Sequence, residues 1–113
     1  MEFLLVGQGD GGDSLFELAS QLVKKGASMQ VLYLMDSESE TDWSTWIRKL
    51  VPLGEFFLTK KGLEKRLQDI LSHGDKEIAT FIAGEELFLR GMTQVCTSLG
   101  LEKEQICQKV VFS

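Results

Sequence analysis

Phe3-Leu4-Leu5-Val6-Gly7-Gln8-Gly9-Asp10-Gly11-Gly12 is the stretch that decides the fold. A short apolar run ends in a cluster of glycines, and an amphipathic helical pattern begins directly behind it. Strand, glycine turn and helix in that order open a nucleotide-binding α/β unit. Gly7, Gly9 and Gly12 fit the spacing G-x-G-x-x-G. Glycine there permits a turn of positive φ, brings backbone N–H groups up to a ligand and lets a helix pack close to a strand. The same glycines would equally serve a tight turn that binds nothing.

Outward from this stretch, strands and helices alternate. The first strand is expected over about Glu2–Val6 and the first helix over about Ser14–Lys25. Leu15, Leu18, Ala19, Leu22 and Val23 recur in that helix at i, i+3, i+4, i+7 and i+8. Ser14-Leu15-Phe16-Glu17 reads as a capping box and Gly26 as the C-terminal stop. Met29–Met35 is almost wholly apolar, as a strand buried on both faces of a parallel sheet requires. The polar loop Asp36–Asp42 (DSESETD) leads into a short helix with Trp43, Trp46, Ile47 and Leu50 on one face. Beyond Pro52 and Gly54 come a strand at Glu55–Thr59, a helix at Gly62–Ser72 and a strand at Ile78–Ala83. A long helix at Glu86–Leu99 buries Phe88, Met92, Val95, Cys96 and Leu99. Gly100 stops it, a polar link spans Glu102–Gln105, and Cys107–Phe112 closes the sheet.

The pattern βαβαβαβαβ demands right-handed crossovers and a parallel sheet. The expected architecture is a three-layer αβα fold, a single Rossmann-like domain over residues 1–113, with five parallel strands in the order 3-2-1-4-5. Strands one and four then flank the point where strand order reverses, and a ligand would sit beyond their carboxyl ends.

Composition narrows the function. At 113 residues, with 43% hydrophobic and 26% charged residues, the chain suits one soluble core. A net charge of −5 argues against a nucleic-acid surface. No apolar run reaches the length of a membrane span, and Met1 leads straight into an acidic residue and a strand, not a signal peptide. The expected location is cytoplasmic. Cys96 and Cys107 lack metal-ligand spacing and read as reduced, packed thiols. His73 falls where a helix should end, as a helix-end cation or plain surface residue and not a catalytic base, at the edge of the sheet opposite the glycine turn. No G-x-S-x-G elbow is present. The loose spacing of the acidic loops gives no metal site.

Two stretches together resemble a known family. LLVGQGDGGDSLFELASQLVKKGASMQVLYL is similar to the start of the nucleotide-binding domain of ferredoxin–NADP reductase-like proteins, whose pattern is a strand, G-G-G-T-G-x-x-P, a helix, a lysine-glycine stop and a second strand. ATFIAGEELFLRGMTQVCTSLGLEKEQI resembles their final strand, C-G-P-x-x-M and helix. The first helix is similar in character to the electron-transfer subunit of dihydroorotate dehydrogenase. The resemblance implies an NAD(P)-binding module that passes hydride to a flavin held by another domain or chain. Gly7, Gly9, Asp10, Gly11 and Gly12 would lie at the pyrophosphate, and Ala83, Gly84 and Glu85 near the nicotinamide. Asp36 ends strand two, 24 residues after Gly12, and would accept hydrogen bonds from the adenine ribose. That reading favours NAD(H) over NADP(H), although Asp36 could instead begin a solvated loop.

The departures are as informative. Asp10 stands where the family has threonine, Ser14 where it has proline, Ala83 where it has cysteine and Glu85 where it has proline. The flavin-binding barrel is absent from these residues, so FAD or FMN could enter only through a separate domain or chain, as for a fragment of a longer polypeptide. Asp10, Asp13, Asp36, Glu38, Glu40, Asp42, Glu85 and Glu86 crowd the expected mouth, offset only by Lys60 and Lys61. This negative field opposes a pyrophosphate. It supports the alternative of a degenerate reductase-like domain that acts as a regulatory or docking module for a basic redox partner.

Overall fold

A computed structural model gives the architecture for residues 2–9, 12–34, 55–57, 59–73 and 78–110. The elements in chain order are β1 (Glu2–Gln8), α1 (Gly12–Lys24), β2 (Ser28–Leu34), β3 (Glu55–Phe57), α2 (Lys60–His73), β4 (Ile78–Gly84), α3 (Glu86–Ser98) and β5 (Ile106–Val110). The five strands form one sheet in the order β3-β2-β1-β4-β5, every pair parallel. This is the expected order. The expected helix around Trp43–Leu50, the acidic loop and residues 111–113 lie outside the described residues.

Strand alternation explains the layers. Leu4 and Val6 of β1, with Leu32 and Leu34 of β2 and Ile78 and Ile82 of β4, face α2 and α3. There they meet Leu63, Leu67, Ile70, Leu71, Phe88, Leu89, Met92 and Cys96. Leu5, Val31, Tyr33 and Ala83 face the other way, onto Leu15, Ala19 and Leu22 of α1. β1 is central and buried on both faces, which is why its sequence is a continuous apolar run rather than an alternating one.

Several boundaries differ from the sequence reading. β1 runs two residues further than expected, so Gly7 and Gln8 pair within the sheet and the turn begins only at Gly9. α1 starts at Gly12, which places Ser14 inside the first turn and removes it as an N-cap. Val23 is 43% exposed, because it lies on the rim of the apolar stripe rather than in it. Val95 and Leu99 are only partly buried, at the edge of the cluster on that face. Cys107 is exposed rather than packed, since β5 is an edge strand whose described residues beyond Ile106 are all exposed.

Helix ends carry their own chemistry. α1 and α3 both close with a six-residue bond of the Schellman type, Ala27 N–H to Leu22 O and Leu101 N–H to Cys96 O, each 3.0–3.1 Å. α2 begins two residues before its expected start because Thr59 caps it, Oγ1 accepting from Gly62 N–H at 3.1 Å. β3 and α2 are joined by Arg66, whose Nε donates to both carboxylate oxygens of Glu55 at 3.0 and 2.8 Å. That contact holds the Arg66 guanidinium above its ordinary pKa. At the far end of α2 the exposed ring of His73 sits 2.9 Å from the Asp69 carbonyl oxygen. α2 runs from the carboxyl edge of the sheet to the opposite edge, so His73 is remote from the glycine turn.

Candidate functional site

Order reverses at β1, which pairs with β2 on one side and β4 on the other. Register sets Gly7 opposite both Tyr33 and Ala83. The carboxyl ends of these three strands are where an open α/β sheet accepts a ligand.

Gly7 is a packing residue. A Cβ built on it would collide with Leu15 Cδ1 and lie 2.8 Å from Leu15 Cγ. Only a glycine lets the first turn of α1 come down on β1 this closely, and the approach brings the N-terminus of α1 over the strand end. Gly9 makes the turn. Its φ is 50°, a conformation that costs other residues roughly 1–2 kcal/mol. The turn is held from below by Tyr33, which is fully buried and donates its hydroxyl to the Gly9 carbonyl oxygen at 2.5 Å. Phe56 of β3 meets the Tyr33 ring edge-on, centroids 6.2 Å apart. The turn is therefore positioned by two neighbouring strands as well as by its own glycines.

On the β4 side, a Cβ at Gly84 would meet Phe88 Cδ2 at 2.8 Å and Gln8 Cβ and Oε1 at 3.3 Å. Gly84 is where a strand residue, a helix residue and the end of β1 converge. Ala83 is fully buried with its methyl group in the cluster under α1, so it can offer a ligand only its backbone. Glu85 is exposed and heads α3, its carbonyl accepting from Leu89 N–H at 3.0 Å. Gly12 opens α1; Asp10, Gly11 and Asp36 lie outside the described residues.

Charge at this edge differs from a count of loop residues. Glu86 pairs with Arg90 one turn along α3, Nη2 to Oε1 at 2.7 Å. The Lys60 ammonium reaches the same helix, where it would lie 2.9 Å from a Cβ on Gly91. Both cations come from helices, which is why counting charges in loops missed Arg90. The pair is exposed and weak, of the order of 0.3–0.5 kcal/mol, but it removes one full charge from the rim. Among the described residues no group of three His, Cys, Asp or Glu stands where it could hold a metal ion. No helix among them is long and apolar enough to cross a membrane.

Three residues of this edge were not singled out from sequence: Gln8, Tyr33 and Arg90. Tyr33 carried a signal, since a tyrosine in a strand buried on both faces must find a partner for its hydroxyl.

A family model described as dimethylamine monooxygenase subunit DmmA-like, N-terminal domain, matches residues 1–106. The chain belongs to this DmmA-like family. Solved structures similar to it include ferredoxin reductases and an FAD/NAD-binding domain. The ferredoxin reductase in carbazole 1,9a-dioxygenase superimposes with a TM-score of 0.77 at 13% identity over 98% of this chain. The flavohem-like FAD/NAD-binding domain of nitric oxide dioxygenase from Vibrio cholerae gives 0.74 at 14% identity over 96% of this chain. Ferredoxin-NADP+ reductase from Plasmodium falciparum gives 0.62 at 10% identity over 98%. This chain spans 38%, 50% and 54% of those structures respectively, so each contains much that it lacks. Among curated proteins, none matches the chain. At these identities the likeness establishes the fold: the DmmA-like domain is built as the ferredoxin reductase-type nucleotide domains are.

Proposed function

We propose that this chain is the nucleotide-binding module of an electron-transfer component serving an oxygenase. It takes NAD(H) at the glycine turn and works with a flavin-bearing domain or subunit. The observation that carries this reading is the built turn between β1 and α1. Gly7 admits Leu15, Gly9 sits at positive φ, and a buried tyrosine hydroxyl holds the Gly9 carbonyl. The packing of Leu15 on Gly7 brings the N-terminus of α1 to the strand end, where a pyrophosphate would gain its N–H groups and dipole. The names of the similar structures, a dioxygenase ferredoxin reductase and an FAD/NAD-binding domain, and the oxygenase named by the family agree with this role.

In this reading Gly9, Asp10, Gly11 and Gly12 offer backbone N–H groups to the pyrophosphate. Asp36 accepts from the adenine ribose and repels a 2′-phosphate, so NADH is preferred to NADPH. Gly84 and Glu85 border the nicotinamide. A bound NADH supplies the hydride, and the flavin that takes it belongs to the partner.

A second reading is favoured by Ala83 and by the exposed Glu85 at the rim: the nucleotide site has decayed and the acidic edge docks a basic redox partner. Calorimetric titration with NADH, NADPH and ADP-ribose at low salt separates the two. Micromolar NADH binding, weaker NADPH binding and loss of both in Gly9→Val are expected. No binding of any of the three by a folded chain would overturn the nucleotide reading and favour the docking one. Asp10→Lys should tighten NADH if repulsion at the mouth limits affinity.

A further inference from the structure

The carboxyl end of β1 carries a polar group that the fold does not use. Gln8 is the last residue of β1, on the face shared with Leu4 and Val6, and it abuts Gly84. Its Oε1 is shut off from solvent and has no hydrogen-bond partner. A carboxamide oxygen buried without a partner loses its hydrogen bonds to water and gains none in return, a cost to the fold. Leucine or methionine would fill that space without this cost. Proteins tolerate such an atom chiefly where function needs it. Thr80 Oγ1 is also buried and unpartnered, but it lies in mid-strand between Ile78 and Ile82, away from the edge that receives ligands. Gln8 stands on that edge, at the switch point.

We infer that Gln8 reads the nicotinamide carboxamide of the bound dinucleotide, its side-chain amide pairing with the ligand's own. The inference rests on the nucleotide-binding reading above. Topology supplies the direction. A dinucleotide whose pyrophosphate sits at the glycine turn spans the switch point, with one nucleoside over β2 and the other over β4. An acidic residue after β2 suits the adenosine ribose, which sends the nicotinamide over β4, where Gln8 meets Gly84. A carboxamide carries two N–H donors and a carbonyl acceptor, so it is complementary to another carboxamide. The amino group of the ligand gives Oε1 the donor it lacks. Gly84 is then glycine for two reasons: a Cβ would press on Phe88, and it would push Gln8 out of reach.

The test compares NADH with ADP-ribose, which keeps the pyrophosphate and adenosine but has no nicotinamide. Wild-type chain should bind NADH more tightly than ADP-ribose by calorimetry. Gln8→Leu should lower NADH affinity about tenfold, the loss of one good hydrogen bond, and leave ADP-ribose within about twofold. The same variant should melt no lower than wild type, because it removes a buried unpaired atom. Gln8→Met, closer in shape, serves if the leucine variant does not fold. Equal losses for both ligands, or no loss for either, would overturn the inference while leaving the nucleotide reading intact. A folded wild-type chain that binds neither ligand would overturn both.

Discussion

The hydroxyl of Tyr33 and the carbonyl oxygen of Gly9 are joined by a buried 2.5 Å hydrogen bond that ties β2 to the turn after β1. Tyr33→Phe removes this buried hydroxyl donor. We expect a loss of about 1–2 kcal/mol in chemical denaturation. NADH affinity should fall with it, because the turn loses its support. A variant as stable as wild type would show that the turn holds itself.

Gly7 and Leu15 form a second pair with a measurable coupling. Gly7→Ala forces a methyl group into Leu15 and should cost about 1–3 kcal/mol. In the background of Leu15→Ala the same change should cost much less. A double-mutant cycle on denaturation free energies measures the difference, and additivity would remove the close approach of α1 as the reason for glycine at this position.

Cys96 is fully buried, and burial pushes its thiol up to about 11 from an ordinary value near 9. The folded chain thus keeps a proton that the unfolded chain releases. Stability is intact below pH 9 and falls as pH rises from 9 towards 11, by of the order of 2 kcal/mol in total. Cys96→Ala should flatten this dependence. At pH 8 a thiol reagent should label exposed Cys107 quickly and Cys96 only after unfolding.

Glu55 and Arg66 give a smaller effect. Both side chains are 38% exposed and a single N–H is shared between the two carboxylate oxygens, so their ion pair contributes at most about 1 kcal/mol. Glu55→Ala should leave global stability nearly unchanged. It should accelerate amide exchange in β3, which has only three residues and leans on this pair for attachment to α2.

The strand order was legible because β1, β2 and β4 carry compact apolar runs, and each helix repeats its apolar positions at the helical period. Parallel pairing and right-handed crossovers leave few arrangements for such a pattern. Gly7 and Gly9 were legible as special positions, but not their different roles. Which glycine packs and which one turns depends on whether β1 ends at Val6 or at Gln8, and pairing with β2 and β4 decides that. Ser14 read as a cap because local chemistry favours it there, yet the helix is free to start at Gly12 once Leu15 is seated over Gly7. Gln8 was invisible because its significance lies in Gly84, distant in sequence, and Arg90 because it lies inside a helix and not in the loops whose charges were counted.

The two partners of the central strand β1 lie at very different distances along the chain, and this has a kinetic consequence. Glu2 pairs with Ser28, close in sequence, and with Ile78, which lies beyond β2, β3 and α2. Closing that long loop is an entropic cost met before any contact across it is gained. Until β4 docks, one edge of the most apolar strand stands open. Refolding should therefore show early order at the β1–β2 pair and a slower step that completes the β1–β4 crevice, so the switch point of the sheet takes shape only after one of its two sides is already built.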